Sequence, residues 1–235
     1  TASNTAQRVY LVGSKGADLT VTQAAGALQV PGMVSSARAV SVRRLSATTF
    51  RVYRSSTASC AGPWTLAGDT TASEVTVASA VVQGEDGNRM LRDCRTSRSY
   101  RGDLRAVRAL GSVVSVNRVA TEAMLRGIVP TEVSPSWATA GGGAGAAAVR
   151  AQAVAARSYM LAGDTRWSPF ATTCDSTTCQ SYQGFGAEHP LTDTAITATA
   201  GQVRRHAGGA IARTEFGASS GGWTAGGEFP AVADL

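Results

Sequence analysis

Between residues 9 and 95 apolar and polar positions alternate in short runs, broken every few residues by Gly, Ser, Pro or Asp. A period of two puts alternate side chains on one face, so such runs read as half-buried strands. They fall at 8–12, 17–21, 28–30, 39–45, 50–54, 64–66, 74–80 and 89–93, with no helical period among them. Residues 1–99 are therefore predicted to be a small β-rich region. Past residue 100 the pattern changes. Runs at 104–110 and 112–116, divided by Gly111, read as a hairpin, after which apolar positions take helical spacing at 122–126, 146–161 and 191–200. In the second of these helices Val149, Ala153, Ala156 and Met160 recur at i, i+4, i+7 and i+11 and form one apolar stripe, while Arg150 and Arg157 are expected on a different face. Segments 203–206 and 210–216 flank Gly208-Gly209, a two-residue hairpin signal. The fold class expected is α+β, a mixed part at 100–235 preceded by the β-rich region at 1–99.

Two interruptions of this pattern carry the candidate chemistry. Residues 127–137 (Gly-Ile-Val-Pro-Thr-Glu-Val-Ser-Pro-Ser-Trp) hold two prolines and no regular apolar period, which predicts a tight loop between helices. Its single ionisable side chain is Glu132, and Trp137 is expected to shield it. A carboxyl desolvated in this way has a raised pKa and can serve as a general acid; a solvated loop glutamate is the plainer alternative. Residues 139–145, Thr-Ala-Gly-Gly-Gly-Ala-Gly, read as a flexible insertion. In the second interruption Gln180 and Tyr182 stand two apart, so in an extended segment both face the same way. They suit either hydrogen bonding and stacking on a sugar or a half-buried edge strand. Further on, Ser219-Ser220-Gly221-Gly222 offers hydroxyls and close backbone approach to a ligand. A nucleophilic serine would need a base, and the only histidines, His189 and His206, lie outside these segments.

Six blocks in order resemble the SpoIID/LytB family: Tyr100-Arg101-Gly102, Val116-Asn117-Arg118-Val119, Leu125 to Glu132, Ala151 to Tyr159, Cys179-Gln180-Ser181-Tyr182-Gln183-Gly184 and Ser219-Ser220-Gly221-Gly222-Trp223-Thr224. Each block alone is weak, and six in sequence are specific. The resemblance covers roughly 100–227 and does not reach the β-rich region, which would lie beside the catalytic part as a platform or bind wall glycan. It implies an exported lytic transglycosylase of peptidoglycan, cutting the β-1,4 bond between N-acetylmuramic acid and N-acetylglucosamine, with strands stripped of stem peptides as one possible preference. Glu132 would be the catalytic acid/base. Arg157, Ser158, Tyr159, Gln180, Tyr182, Ser219, Ser220, Gly221, Gly222 and Thr224 would bind substrate, with Arg157 and the Ser-Ser-Gly-Gly turn sharing one groove with Glu132. LytB-type relatives imply a second reading, a non-catalytic wall-binding module that stimulates a partner amidase. The glycine-rich insertion separates Glu132 from Arg157 by more residues than the family spacing.

Composition narrows the setting. The chain of 235 residues is 43% hydrophobic and 16% charged, which suits a globular protein with a proper core. No apolar run approaches the ~20 residues needed to span a bilayer. The opening Thr1-Ala2-Ser3-Asn4-Thr5 shows no signal peptide, as expected of a processed form. The net charge of +6 comes from 22 basic residues, all arginine but Lys15. Arginine forks suit carboxylates and phosphates, and no basic run with interleaved aromatics points to nucleic acid. Four cysteines, Cys60, Cys94, Cys174 and Cys179, allow three pairings. Proximity favours Cys174 with Cys179, leaving Cys60 with Cys94, as in an exported wall protein. The competing reading is zinc at Cys174 and Cys179. That segment lacks a histidine, the nearest being His189, and a structural zinc wants four N/S ligands, so no cofactor is expected.

Overall fold

The structure, a computed structural model, describes residues 5–217. In chain order the strands are β1 (Ala6–Tyr10), β2 (Leu19–Thr22), β3 (Leu28–Val30), β4 (Val34–Ala37), β5 (Ala39–Arg44), β6 (Phe50–Ser55), β7 (Thr65–Thr70), β8 (Glu74–Ser79), β9 (Leu91–Asp93), β10 (Ser99–Tyr100), β11 (Asp103–Ala109), β12 (Ser112–Ala120) and β13 (Thr173–Cys174). The helices are α1 (Thr121–Arg126), α2 (Val129–Glu132), α3 (Ala146–Ala162) and α4 (Pro190–Ala198). The fold is α+β. Among the described residues no helix is long and apolar enough to cross a membrane.

The strands form two sheets, in the orders β13-β1-β12-β11-β8-β3-β4 and β10-β9-β2-β5-β6-β7. The first ignores the sequence boundary near residue 100: β1 pairs antiparallel with β12 on one side and parallel with β13 on the other. One contiguous core follows. It joins Leu28, Val75 and Leu104 of the first sheet, Val21, Val42 and Val52 of the second, and Met124, Val149, Ala156 and Ile196 of the helices. Strand β12 is buried on both faces, because Phe170, Ala171, Cys174 and Cys179 pack with Val114 and Val116 on the side away from the main core. The segment 167–178 thus contributes to a second, smaller core.

Helix α3 buries the stripe read from its sequence, Val149, Ala153, Ala156 and Met160. Side chains as large as Val and Met contribute roughly 1.5–3 kcal/mol each when fully buried, and the alanines let α1, α2 and α4 approach closely. The expected flexible insertion is a 3-10 run, Pro135–Gly143, that turns back through left-handed backbone at Gly141 and Gly142. The hairpin expected around Gly208-Gly209 reduces to one bridge, Arg205 with Ile211. Both disulfides, Cys60–Cys94 and Cys174–Cys179, are formed.

Candidate active site

Glu132 ends the single turn of α2 rather than sitting in an irregular loop. Pro130 near the start of that turn lacks an N–H that would find no partner there, and buried Val129 anchors it to the core. A second segment, 180–184, is laced against it. The Thr131 hydroxyl contacts the carbonyls of Ile128 at 2.7 Å and Ser181 at 2.9 Å. The Ser181 N–H donates to Glu132 Oε1 at 3.1 Å, and the Gln183 N–H donates to the Gly127 carbonyl at 3.2 Å. Gly127 permits this approach: a Cβ there would come within 2.7 Å of the Tyr182 ring and 2.8 Å of the Gly184 carbonyl. Two segments separated by some fifty residues, Glu132 and Ser181 standing 49 apart, are thereby held as one surface.

Gln180 and Tyr182 do face the same way, but inward. The Gln180 side-chain amide donates to the Ala156 carbonyl at 3.0 Å, and the Tyr182 hydroxyl donates to Asn117 Oδ1 at 2.9 Å. Asn117 in turn donates to the carbonyls of Arg101 and Asp103, both at 2.9 Å. Burial pushes the Tyr182 phenol well above its ordinary value. These two side chains therefore nail the segment to α3 and β12 and offer no face to a sugar. The residue between them was not singled out by the sequence, although the same period of two turns Ser181 outward, where its N–H meets Glu132.

Arg157 corrects the sequence expectation most sharply. Its side chain is fully buried and forks onto Glu122, with Nε to Oε1 at 2.9 Å and Nη2 to Oε2 at 2.7 Å. It also donates to the carbonyls of Gln202 at 3.1 Å and Ile196 at 3.3 Å. Glu132 is not among its partners. Arg150, on the same side of α3, is exposed. Ser158 is likewise buried, its hydroxyl donating to the Val154 carbonyl and accepting from the Arg204 N–H. Tyr159 is half-buried under the Arg213 guanidinium, 4.4 Å from its ring centroid. Ser219, Ser220, Gly221, Gly222 and Thr224 lie outside the described residues.

Glu132 itself is exposed, as are Thr131, Ser134, Ser136 and Trp137. Trp137 is 53% exposed and does not enclose the carboxylate, so the desolvation expected for an acid is not supplied by that ring. A cavity of about 400 Å³ opens elsewhere, lined by Arg101, Glu122, Arg126, Asp193, Ile196 and Ala200. It borders the ion-pair network of Arg101 and Arg126 with Glu85, Glu188 and Asp193 and does not include Glu132. All three carboxylates are paired with the arginines, and the Arg126 fork beside Glu85 pulls its pKa down to about 2. Cys174 and Cys179, bonded to each other, present no thiolates, and among the described residues no three His, Cys, Asp or Glu side chains gather as a metal site.

Residues 110–206 match the family model described as SpoIID, stage II sporulation protein. The chain carries a SpoIID domain. That domain begins at the β11–β12 turn and holds Glu132, Arg157, Gln180, Ser181 and Tyr182, so the surface built by α2 and the 180–184 segment is wholly its own. The sheet on which it rests is not: β1 and β11, the two neighbours of β12, lie wholly outside the match, as does β8 beyond β11. No curated protein and no solved structure matches the chain.

Proposed function

We propose that the SpoIID domain is a peptidoglycan lytic transglycosylase in which Glu132 is the single acid/base. The observation that carries this reading is the pairing of α2 with the Ser181 backbone, whose N–H holds one oxygen of an accessible carboxylate at 3.1 Å. Ordinary glycosidases place two carboxylates across the bond. One is enough where the substrate carries its own nucleophile. Glu132 donates a proton to the glycosidic oxygen as the bond to C1 of muramic acid breaks. The 6-hydroxyl of the same sugar then attacks C1, and its proton passes to Glu132 as the 1,6-anhydro ring closes. No water is consumed, and the carboxyl group returns to its starting state. The Ser181 N–H donates to one carboxylate oxygen and leaves the other for the two proton transfers.

A positioned acid/base contributes typically 10²–10⁴-fold. Incubated with purified glycan strands, the protein is expected to release anhydro-muramyl products, and Glu132→Gln to lower their rate by roughly that factor with an unchanged unfolding midpoint. The exposure of Glu132 also suits the second reading, a wall-binding module that stimulates an amidase. Strand binding without anhydro products, equal in Glu132→Gln, would establish that reading instead. The two disulfides fit an exported protein acting at the cell wall.

A further inference from the structure

The second sheet has one face in the core and one face turned away from it, and the outward positions of β5, β6 and β7 are unusual in composition. Opposite each other across these strands stand Arg43 with Arg51, Ser41 with Tyr53, and Tyr53 with Leu66. Arg51 is already satisfied: its fork meets both oxygens of Asp69 on β7 at 2.8 Å. Arg43 is not. Its guanidinium lies 4.5 Å over the Tyr53 ring and 5.9 Å from the Trp64 ring, and Nε donates to Ser41 Oγ at 3.2 Å. The two terminal nitrogens have no partner and are not buried. Stacking and the Nε bond fix the plane of the fork, so its free edge is presented without further ordering cost, the geometry that receives a carboxylate end-on.

The rest of the face is arranged around this fork. Gly62 runs with φ +93°, and a Cβ on it would come 2.7 Å from the Trp64 ring, so glycine is what lets that ring fold back beside Arg43. The loop that carries Trp64 is tied by Cys60 to Cys94 at the end of β9. Leu66 is 54% exposed on an edge strand, next to a register shift at Tyr53 that aims its side chain outward. From β5 to β7 is two strand spacings, roughly 10 Å, about the length of two β-1,4-linked sugars. With Arg51 neutralised by Asp69, the face keeps one unpaired positive charge in that span.

We propose that the outward face of β5 to β7 is a second saccharide-binding site, where Arg43 takes the lactyl carboxylate of a muramic acid residue and Trp64 and Leu66 pack against the neighbouring ring. In a strand freed of stem peptides, whose lactyl groups end as carboxylates rather than amides, one carboxylate per disaccharide matches one free fork per disaccharide length. This assignment rests on the reading of wall glycan as the substrate and adds a site on strands outside the SpoIID match. It would hold an insoluble strand while Glu132, on another part of the molecule, works on it.

The test uses the full chain with Glu132→Gln, so that bound strands stay intact, and retention on immobilised glycan strands freed of stem peptides and of phosphate polymers. Arg43→Gln in that background is expected to weaken retention roughly 10-fold or more, the scale of a charge-assisted hydrogen bond, and Trp64→Ala to weaken it similarly. Binding of a chitooligosaccharide, which lacks the lactyl carboxylate, should fall with Trp64→Ala and change less than about 2-fold with Arg43→Gln. Unfolding midpoints of both variants should match the parent. Retention unaffected by Arg43→Gln, equal loss of chitooligosaccharide binding, or displacement by a glycerol-phosphate polymer as effective as by soluble glycan would each overturn the proposal. Turnover of short soluble strands by Arg43→Gln carrying Glu132 should equal that of the unsubstituted protein. That arm separates the two ideas: absent products with Arg43-dependent retention remove the catalytic reading alone, and normal turnover with Arg43-independent retention removes this site alone.

Discussion

Replacing Arg157 by Met separates a framework role from a substrate-binding one. The guanidinium is fully buried, forks onto Glu122 and caps the carbonyls of Gln202 and Ile196. Met keeps most of the stem's packing but leaves the carboxylate without its counter-charge and the Gln202 carbonyl without the Arg157 donor, while the Ile196 carbonyl keeps the Thr199 N–H. Breaking a buried pair from one side costs about 3–5 kcal/mol. Glu122 is 25% exposed, so water compensates part of this and the lower half of the range, about 3–4 kcal/mol, applies. For a chain of this size that corresponds to a fall in unfolding midpoint of roughly 6–16 °C. Urea denaturation and calorimetry read the loss directly. Adding Glu122→Gln removes the stranded charge and should recover about 1–2 kcal/mol, a non-additivity that a pair in contact requires. An Arg157→Met protein with unchanged stability and a raised KM for glycan strands would refute the reasoning, because it would mean that the fork faces substrate.

Tyr182→Phe should cost about 1–3 kcal/mol, since it strands the buried Asn117 oxygen; a change in KM alone, with full stability in urea, would instead put the phenol on a sugar. Asp175 accepts from the Val12 N–H at 2.7 Å, and burial lifts its carboxyl above the ordinary 3.8. A raised folded-state value means that the native state holds the proton more tightly, so wild-type stability is lost as pH rises past 3.8 toward that value. Asp175→Asn should therefore be the more stable protein at pH 7 and lose its advantage below pH 3.8, as followed by unfolding midpoint against pH. Reductive removal of the Cys60–Cys94 bridge, which closes 34 residues, should cost about 4 kcal/mol, against about 2 kcal/mol for Cys174–Cys179, which closes 5. Single Cys-pair replacements compared by denaturation check the order.

Local pattern carried much of the fold, and pairing carried the rest. The run 28–30 is β3 without adjustment, and the stripe of α3 was legible because four small or apolar residues keep one helical face. Strand β4, Val-Ser-Ser-Ala, was missed: its two central residues are exposed, and it exists only because β3 lies alongside. Nothing in Gln7-Arg8-Val9 announces that its neighbours will be residues near 118 and 172. At the site, Glu132 and Trp137 could be found as the ionisable and aromatic members of a proline-flanked stretch. Arg157 could not be assigned a partner that way, since Glu122 and Glu132 both precede it and only the cover laid by α4 decides between them. One signal was available: Arg157 stands four residues after Ala153, one turn along the buried face. For Gln180 and Tyr182 the period was right and the side of the protein was wrong, because alternation says which residues agree with each other and not which way they look.

The place of β1 between β12 and β13 governs when this protein can exist as a folded body. Arg8 meets Thr172 across 164 residues of intervening chain, so the first strand made is the last to find both neighbours. Contacts that far apart make for slow assembly. A polypeptide emerging from a ribosome or threading through a pore must keep those five residues unpaired until β12 has followed more than a hundred residues later, with Val9 and Tyr10 still waiting for β13, and a fragment begun at residue 100 would leave an open slot where they belong.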